Sequence, residues 1–173
     1  MNGAVKAFVG ICVLTVAGGQ TAAVPANWTG TWTLNVQKST FGLILLPSAP
    51  AGFKIISQSL KIEHTARGIR VSGDTVFSDH SGSHSSHDDI TIRLDGRETI
   101  IGPVSLSFKR IDDFTFDIIS KVSIDDRNFE ELSHYSFSSD GRTLTETKTQ
   151  AESAANKIST SVLVFSKSST AKF

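Results

Sequence analysis

The chain reads as all-β: an antiparallel, up-and-down meander of eight to nine strands that closes into a single barrel. Three observations carry that reading. Apolar and polar residues alternate with a period of two, as in Trp28, Trp32, Leu34 and Val36 against Thr29, Thr31, Thr33 and Asn35, the spacing of a half-buried strand. Turn signals interrupt the alternation roughly every ten residues. No stretch carries the 3.6-residue period of a useful amphipathic helix. A meander hides its strand edges best by closing on itself. A two-sheet sandwich gives similar strands and turns and stands as the alternative. Short, sequential connections without the long crossovers of a Greek key favour the barrel.

The first strand spans 27–36, with Gly30 on the same parity as its tryptophans. Residues 38–52 form a loop in which Leu43, Ile44, Leu45 and Leu46 sit between Gly42 and Pro47. Four adjacent apolar side chains need cover, either under the barrel floor or as a lip over its mouth. Leu60, Ile62 and His64 then alternate with Lys61 and Glu63, and Arg67-Gly68 turns the chain into 69–77, with a bulge expected at Gly73-Asp74. A polar loop over 78–89 leads to Ile90, Ile92 and Leu94, and Asp95-Gly96 is a hairpin signal. Val104, Leu106 and Phe108 form the next strand, followed by Phe114, Phe116, Ile118, Val122 and Ile124 after the turn at Asp112-Asp113. The turn at 125–128 gives way to a strand over 129–138, Asp140-Gly141 turns again, and 142–149 is a threonine-rich strand. After a loop over 150–156, the last strand spans 157–167 with apolar residues on both faces.

The ends of the chain read differently from the barrel. Lys6, the apolar run 7–18 and the small residues after it have the form of an export signal ending at Ala23 or Ala26. The run is shorter than the ~20 residues that span a bilayer. The expected organisation is a signal peptide over 1–23, one barrel domain over 27–168 and a tail over 169–173. Cys12, the single cysteine, lies inside the signal, so the mature chain has no disulfide and depends on its core. About 150 mature residues suffice for one such core. The chain has 17 Lys+Arg and 17 Asp+Glu, and loss of Lys6 leaves it slightly negative. Neither nucleic acid nor an anionic membrane surface is the partner of such a balance, and no membrane anchor is expected after cleavage.

The Gly30-Thr31-Trp32 element on the first strand resembles the opening of the lipocalin-like, or calycin-like, class of small secreted barrels. That resemblance implies that Trp32 lies across the closed end and that a basic side chain from the last strand, here Lys167, covers its ring. The elements Leu94-Asp95-Gly96-Arg97-Glu98 and 138–145 are similar to repeated elements of bacterial secreted proteins of this shape. The chain departs from the class in lacking disulfides and a second motif of the Thr-Asp-Tyr kind.

Several residues are candidates for chemistry. If Phe108 and Tyr135 face inward, period two takes Arg110 and Glu131 inward with them, and a charge there needs a partner or a polar ligand. Phe108, Arg110, Phe116, Glu131 and Tyr135 are therefore the expected ligand-binding set, with core filling and a return of the two charges to water as the alternative. His80, His84 and His87 form a weaker alternative as metal ligands, because imidazole suits zinc, nickel or copper. Their spacing matches no standard zinc site. No Gly-x-Ser-x-Gly elbow or mature cysteine supplies a nucleophile, so no catalytic residue and no cofactor is assigned. The expected protein is exported to the periplasm or medium and carries a small, mostly apolar molecule inside the barrel. A barrel filled by its own side chains and serving as a structural or protein-interaction module is the second reading, and a small-molecule enzyme at the barrel mouth is the third.

Overall fold

The protein is described by a computed structural model over residues 28–42, 52–65, 67–124, 127–153 and 156–168. The expected signal with Cys12, Asn27, the apolar cluster 43–46, the turn residues Asp125 and Asp126 and the tail lie outside the described residues. Ten strands run in chain order: β1 (Gly30–Leu34), β2 (Lys54–Thr65), β3 (Gly68–Asp79), β4 (Gly82–Ile92), β5 (Thr99–Ile101), β6 (Val104–Arg110), β7 (Thr115–Ile124), β8 (Arg127–Phe137), β9 (Thr143–Glu152) and β10 (Lys157–Lys167). All pair antiparallel in one sheet, in the order β4-β3-β2-β1-β10-β9-β8-β7-β6-β5. The first and last strands are neighbours, with Trp32 opposite Lys167 and Leu34 opposite Phe165. The sheet therefore wraps almost fully around, leaving one seam where β4 approaches β6. This is the nearly closed meander barrel that the alternating pattern predicts.

Period two sorts the side chains into an inside and an outside. Trp32, Leu60, Ile62, Ile69, Ile92, Leu106, Phe116, Phe137, Leu144 and Phe165 face in and are buried. Trp28, in the turn before β1, fills the middle of this floor: its ring lies 4.6 Å from Phe116, 6.0 Å from Phe137 and 6.2 Å from Phe108. Its indole N–H donates to the Asp113 carbonyl at 3.0 Å, which satisfies the polar tip that a buried Trp carries. Burying these rings is the main stabilising term, at about 25 cal/mol per Å² of apolar area removed from water. Among the described residues, no helix is long and apolar enough to cross a membrane.

Four details differ from the expectation. β1 begins at Gly30 rather than at residue 27, and Val36–Lys38 is a 3-10 turn. Here the Asn35 side chain accepts the Lys38 N–H at 3.2 Å, so local capping ends the strand despite the continued alternation. The register at Gly73-Asp74 is unbroken, and the irregularity lies at Ile55/Ser57. Gly73 instead leaves room for Leu60, whose Cδ2 would stand 3.0 Å from an added Cβ. Residues 150–152 continue β9 rather than starting a loop, because they pair with both Phe129–Glu131 and β10.

The largest difference is at 78–89, expected to be a loop. β3 runs on to Asp79 and β4 returns from Gly82, with Asp79 opposite Gly82 and His84 opposite Phe77. Gly82 through Asp89 is exposed, so neither face of this edge strand needs apolar residues and the alternation that marks a strand is absent. Hydrophilic side chains also keep an unpaired edge from recruiting another strand. β5, three residues long, is the tenth strand and pairs only with β6.

Candidate functional site

The barrel interior changes character along its axis. On β9 the inward positions run Leu144, Glu146, Lys148, Gln150, Glu152, from the aromatic floor into a polar half. Their neighbours on β8 run Phe137, Tyr135, Ser133, Glu131, Phe129. Above the floor lies a cavity of about 680 Å³. Glu131, Lys148 and Gln150 line one wall and Gln58, Thr75, Ser86 and Asp88 line another, while Phe53, Ile55, Phe77 and Leu163 supply apolar surface. A second hollow of about 300 Å³, lined by Val104, Val122, Ile124 and Phe129, shares Glu131 and Gln150 with the first.

The polar wall is a connected network. Lys148 Nζ lies 3.5 Å from Glu131 Oε1 and 3.4 Å from Glu146 Oε1. Gln150 Nε2 donates to Glu131 Oε2 at 2.7 Å, and the Ser133 hydroxyl donates to Glu131 Oε1 at 3.3 Å. Burial pushes the Glu131 carboxyl up, but the Lys148 charge and the hydrogen bonds from Gln150, Lys148 and Ser133 outweigh it and hold Glu131 below its ordinary value. The Glu146 carboxylate, with Glu131 behind it, raises the Lys148 ammonium above its ordinary range against the opposing effect of burial. Burial also carries the Tyr135 phenol well above 10.0, helped by the Glu146 charge and by its hydrogen bond to Glu146. At neutral pH the wall therefore holds an ammonium, ionised Glu131 and a protonated phenol. Glu146 is 1% exposed, and its Oε1, close to Lys148, makes no hydrogen bond. Glu152, equally buried, is paired separately with Arg127, whose Nε donates at 2.6 Å.

The expected ligand-binding residues fall in two places. Glu131 lines the cavity. Phe108 and Phe116 belong to the aromatic floor around Trp28, and Tyr135 stacks on Phe116 at 4.7 Å between floor and polar wall. Arg110, at the end of β6, lies 5.7 Å over the Trp28 ring and pairs with Asp113. The strand end thus takes its guanidinium over the indole face and out to the exposed Asp113 carboxylate rather than into the cavity. Lys167 Nζ stands 5.0 Å over the Trp32 ring, and Gly30 lies under the Lys167 stem.

The three histidines are separated. His84 and His87 are three residues apart on β4 and so point to opposite faces. The His84 ring lies tilted against Phe77 at 5.4 Å and pairs with Asp79 at 3.1 Å. His87 pairs with Asp74 at 2.7 Å, while the His80 ring lies against Gly52. Asp79 is held at about 2 by hydrogen bonds from the Ser81 side chain and backbone and then from His84, so it serves as the acceptor of a tight hairpin. Among the described residues, no group of three or more His, Cys, Asp or Glu side chains is gathered to hold a metal ion.

No protein-family model matches this chain, and no curated protein matches it. The cavity therefore has to be read from its own residues. Sequence reasoning passed over Glu146, Lys148 and Gln150, although their parity with Leu144 was there to be followed. Gln58 shares the parity of Leu60 and Ile62 and was legible in the same way, whereas Ile55, on the other parity, reaches the cavity only because the Ile55/Ser57 irregularity resets the end of β2.

Proposed function

We propose that this protein is an exported, lipocalin-like barrel that binds a small, mostly apolar molecule in its interior. The observation that carries this reading is the cavity of about 680 Å³, where an apolar side faces the Glu131, Lys148 and Gln150 network. Ligand sites are built this way, with a large apolar surface for affinity and a few fixed polar groups for orientation. A barrel filled for stability alone has no use for a buried ionic network next to open volume, since such networks seldom add stability over apolar packing. The closed floor is what holds the cavity open: its aromatic packing fixes the strands on which the polar wall is mounted.

Native mass spectrometry of protein purified from its own host tests the reading. The expected spectrum shows a small molecule released on denaturation, on a polypeptide beginning near residue 24 or 27. With purified protein, the neutral fluorophore N-phenyl-1-naphthylamine should bind saturably at one site, and Ser159→Trp, which fills the cavity, should abolish binding while the fold persists. No copurifying molecule and no saturable fluorophore binding would overturn the reading.

A further inference from the structure

The interior holds more anion than cation. Lys148 is one ammonium between two carboxylates, Glu131 and Glu146. Glu152 is neutralised by Arg127 and leaves Lys148 to its own pair. Asp88 adds a carboxylate from β4, and Lys54 at the exposed end of β2 adds a cation. Glu131 and Asp88 are thus matched by Lys148 and Lys54 in the lining itself, and the surplus is the buried Glu146 carboxylate directly behind the wall, which shares Lys148 with Glu131.

The hydrogen-bonding groups are unequal in the same direction. Lys148, Gln150 and Ser133 all direct donors at Glu131, and Tyr135 directs its hydroxyl at Glu146. The strong donors of this wall are already committed to carboxylates. Away from Lys54 at the exposed rim, two buried acceptors are left over: Gln58 Oε1 on the opposite wall makes no hydrogen bond among the described residues, and Glu146 Oε1 has only its ion pair with Lys148. A buried acceptor without a donor costs free energy, and a surplus anion in a partly dry site costs more.

We infer that the cavity takes a primary ammonium group on an apolar body, with the nitrogen toward Glu131 and the Gln58 carbonyl. This deepens the proposed function and rests on the barrel interior being a small-molecule site. A fatty-acid type carboxylate meets repulsion from Glu131 and Glu146 and competes for donors that they already hold. A neutral head group leaves the negative surplus standing. A protonated amine supplies both the missing charge and N–H donors, and the hollow beside Val104, Val122 and Phe129 receives its apolar part.

The test is a matched series of one chain length and three head groups. Octylamine, octan-1-ol and octanoate are titrated calorimetrically into the wild-type protein at pH 7 and low salt. Octylamine is expected to bind at least tenfold more tightly than octan-1-ol, with octanoate weakest and the octylamine advantage shrinking as salt screens it. Glu131→Gln should reduce the preference for octylamine over octan-1-ol several-fold, with a melting curve confirming the fold. Asp88→Asn, at an exposed position, should reduce it less. Equal binding of all three, or tighter octanoate, overturns the inference and leaves the cavity reading in place. If none of the three binds while N-phenyl-1-naphthylamine does, the head-group inference alone falls. Failure of all four probes removes both.

Discussion

Lys167 holds its ammonium 5.0 Å over the Trp32 ring, and its stem crosses Gly30, where an added Cβ would stand 2.6 Å from Lys167 Cε. β1 and β10 are thus joined by a side chain as well as by their ladder, at the point where the first and last strands close the barrel. Lys167→Ala should cost about 0.5 to 2 kcal/mol in urea unfolding, the range of a cation–π contact, and Lys167→Met should recover the part due to packing of the stem. Gly30 has φ +142, which an L side chain rarely adopts. Gly30→Ala should therefore destabilise by about 1 kcal/mol or more, and pairing it with Lys167→Ala should recover only the steric part.

The floor should behave as a close-packed core. Trp32→Ala and Phe116→Ala remove fully buried rings, each at an expected cost of about 3 to 5 kcal/mol. Phe53→Ala, which loses a ring stacked 4.9 Å from Phe77 at the cavity rim, should cost less than half of that. Equal losses at the two levels in chemical denaturation would contradict the division into packed floor and open cavity.

Lys148 is the keystone of the polar wall. Replacing it with Met leaves Glu131 and Glu146 facing each other without a cation, at a cost on the order of 2 kcal/mol at pH 7, since Lys148 and Glu131 keep some solvent contact. Without Lys148, burial dominates at Glu131 and favours its protonated form. The variant should therefore gain stability as the pH falls from 7 to 5, whereas the wild-type protein should not. Melting temperatures of both across that range decide the point.

The wild-type protein should lose stability at both ends of the pH scale. Glu131 has a folded pKa below its ordinary 4.5, so its contribution is present above 4.5 and is lost as the pH falls through the lower folded value. Tyr135 and Lys148 have folded pKa values above their ordinary 10.0 and 10.5. Their contributions are complete below those values and are lost as the pH rises beyond them. Thermal unfolding should show a plateau between about pH 5 and pH 10, and Tyr135→Phe should soften the alkaline decline.

Amide exchange should map the seam. β1, β10, β9 and β8 are hydrogen-bonded on both sides, whereas β4 and β5 end the sheet. Protection should be greatest in the first group and fall toward Gly82–Ile92 and Thr99–Ile101, where only one side of each strand is paired. Strong, uniform protection of β4 would show that the seam is closed by further pairing.

Much of the barrel was legible in the sequence because alternation is a local property. The apolar parity of Leu106 and Phe108, of Phe116 and Ile118, or of Leu163 and Phe165 follows from the need to bury one face, and the hairpin turn at Asp140-Gly141 follows from backbone chemistry. Asp95-Gly96 carries the same local signal but makes no hairpin: it connects β4 to β5, which stand at opposite ends of the sheet and do not pair. Where strands are polar on both faces, as in Gly82 through Asp89, the same rule is silent. Those residues form a strand only because β3 offers them a ladder.

By itself the sequence determined the class and the parity of most strands, since both depend on residues close together in the chain. Only the tertiary structure decided which inward charges meet. Glu131 and Lys148 are directly opposite neither each other nor any residue a local rule would pair: Glu131 faces Gln150 and Lys148 faces Ser133 across the β8–β9 ladder. Their meeting is a diagonal contact set by strand register. Ile55 reaches the same cavity through an irregularity in β2 on the other side of the barrel. Register and closure sum over many residues at once, and so the strands could be read from the chain while the packing of the floor and the site above it could not.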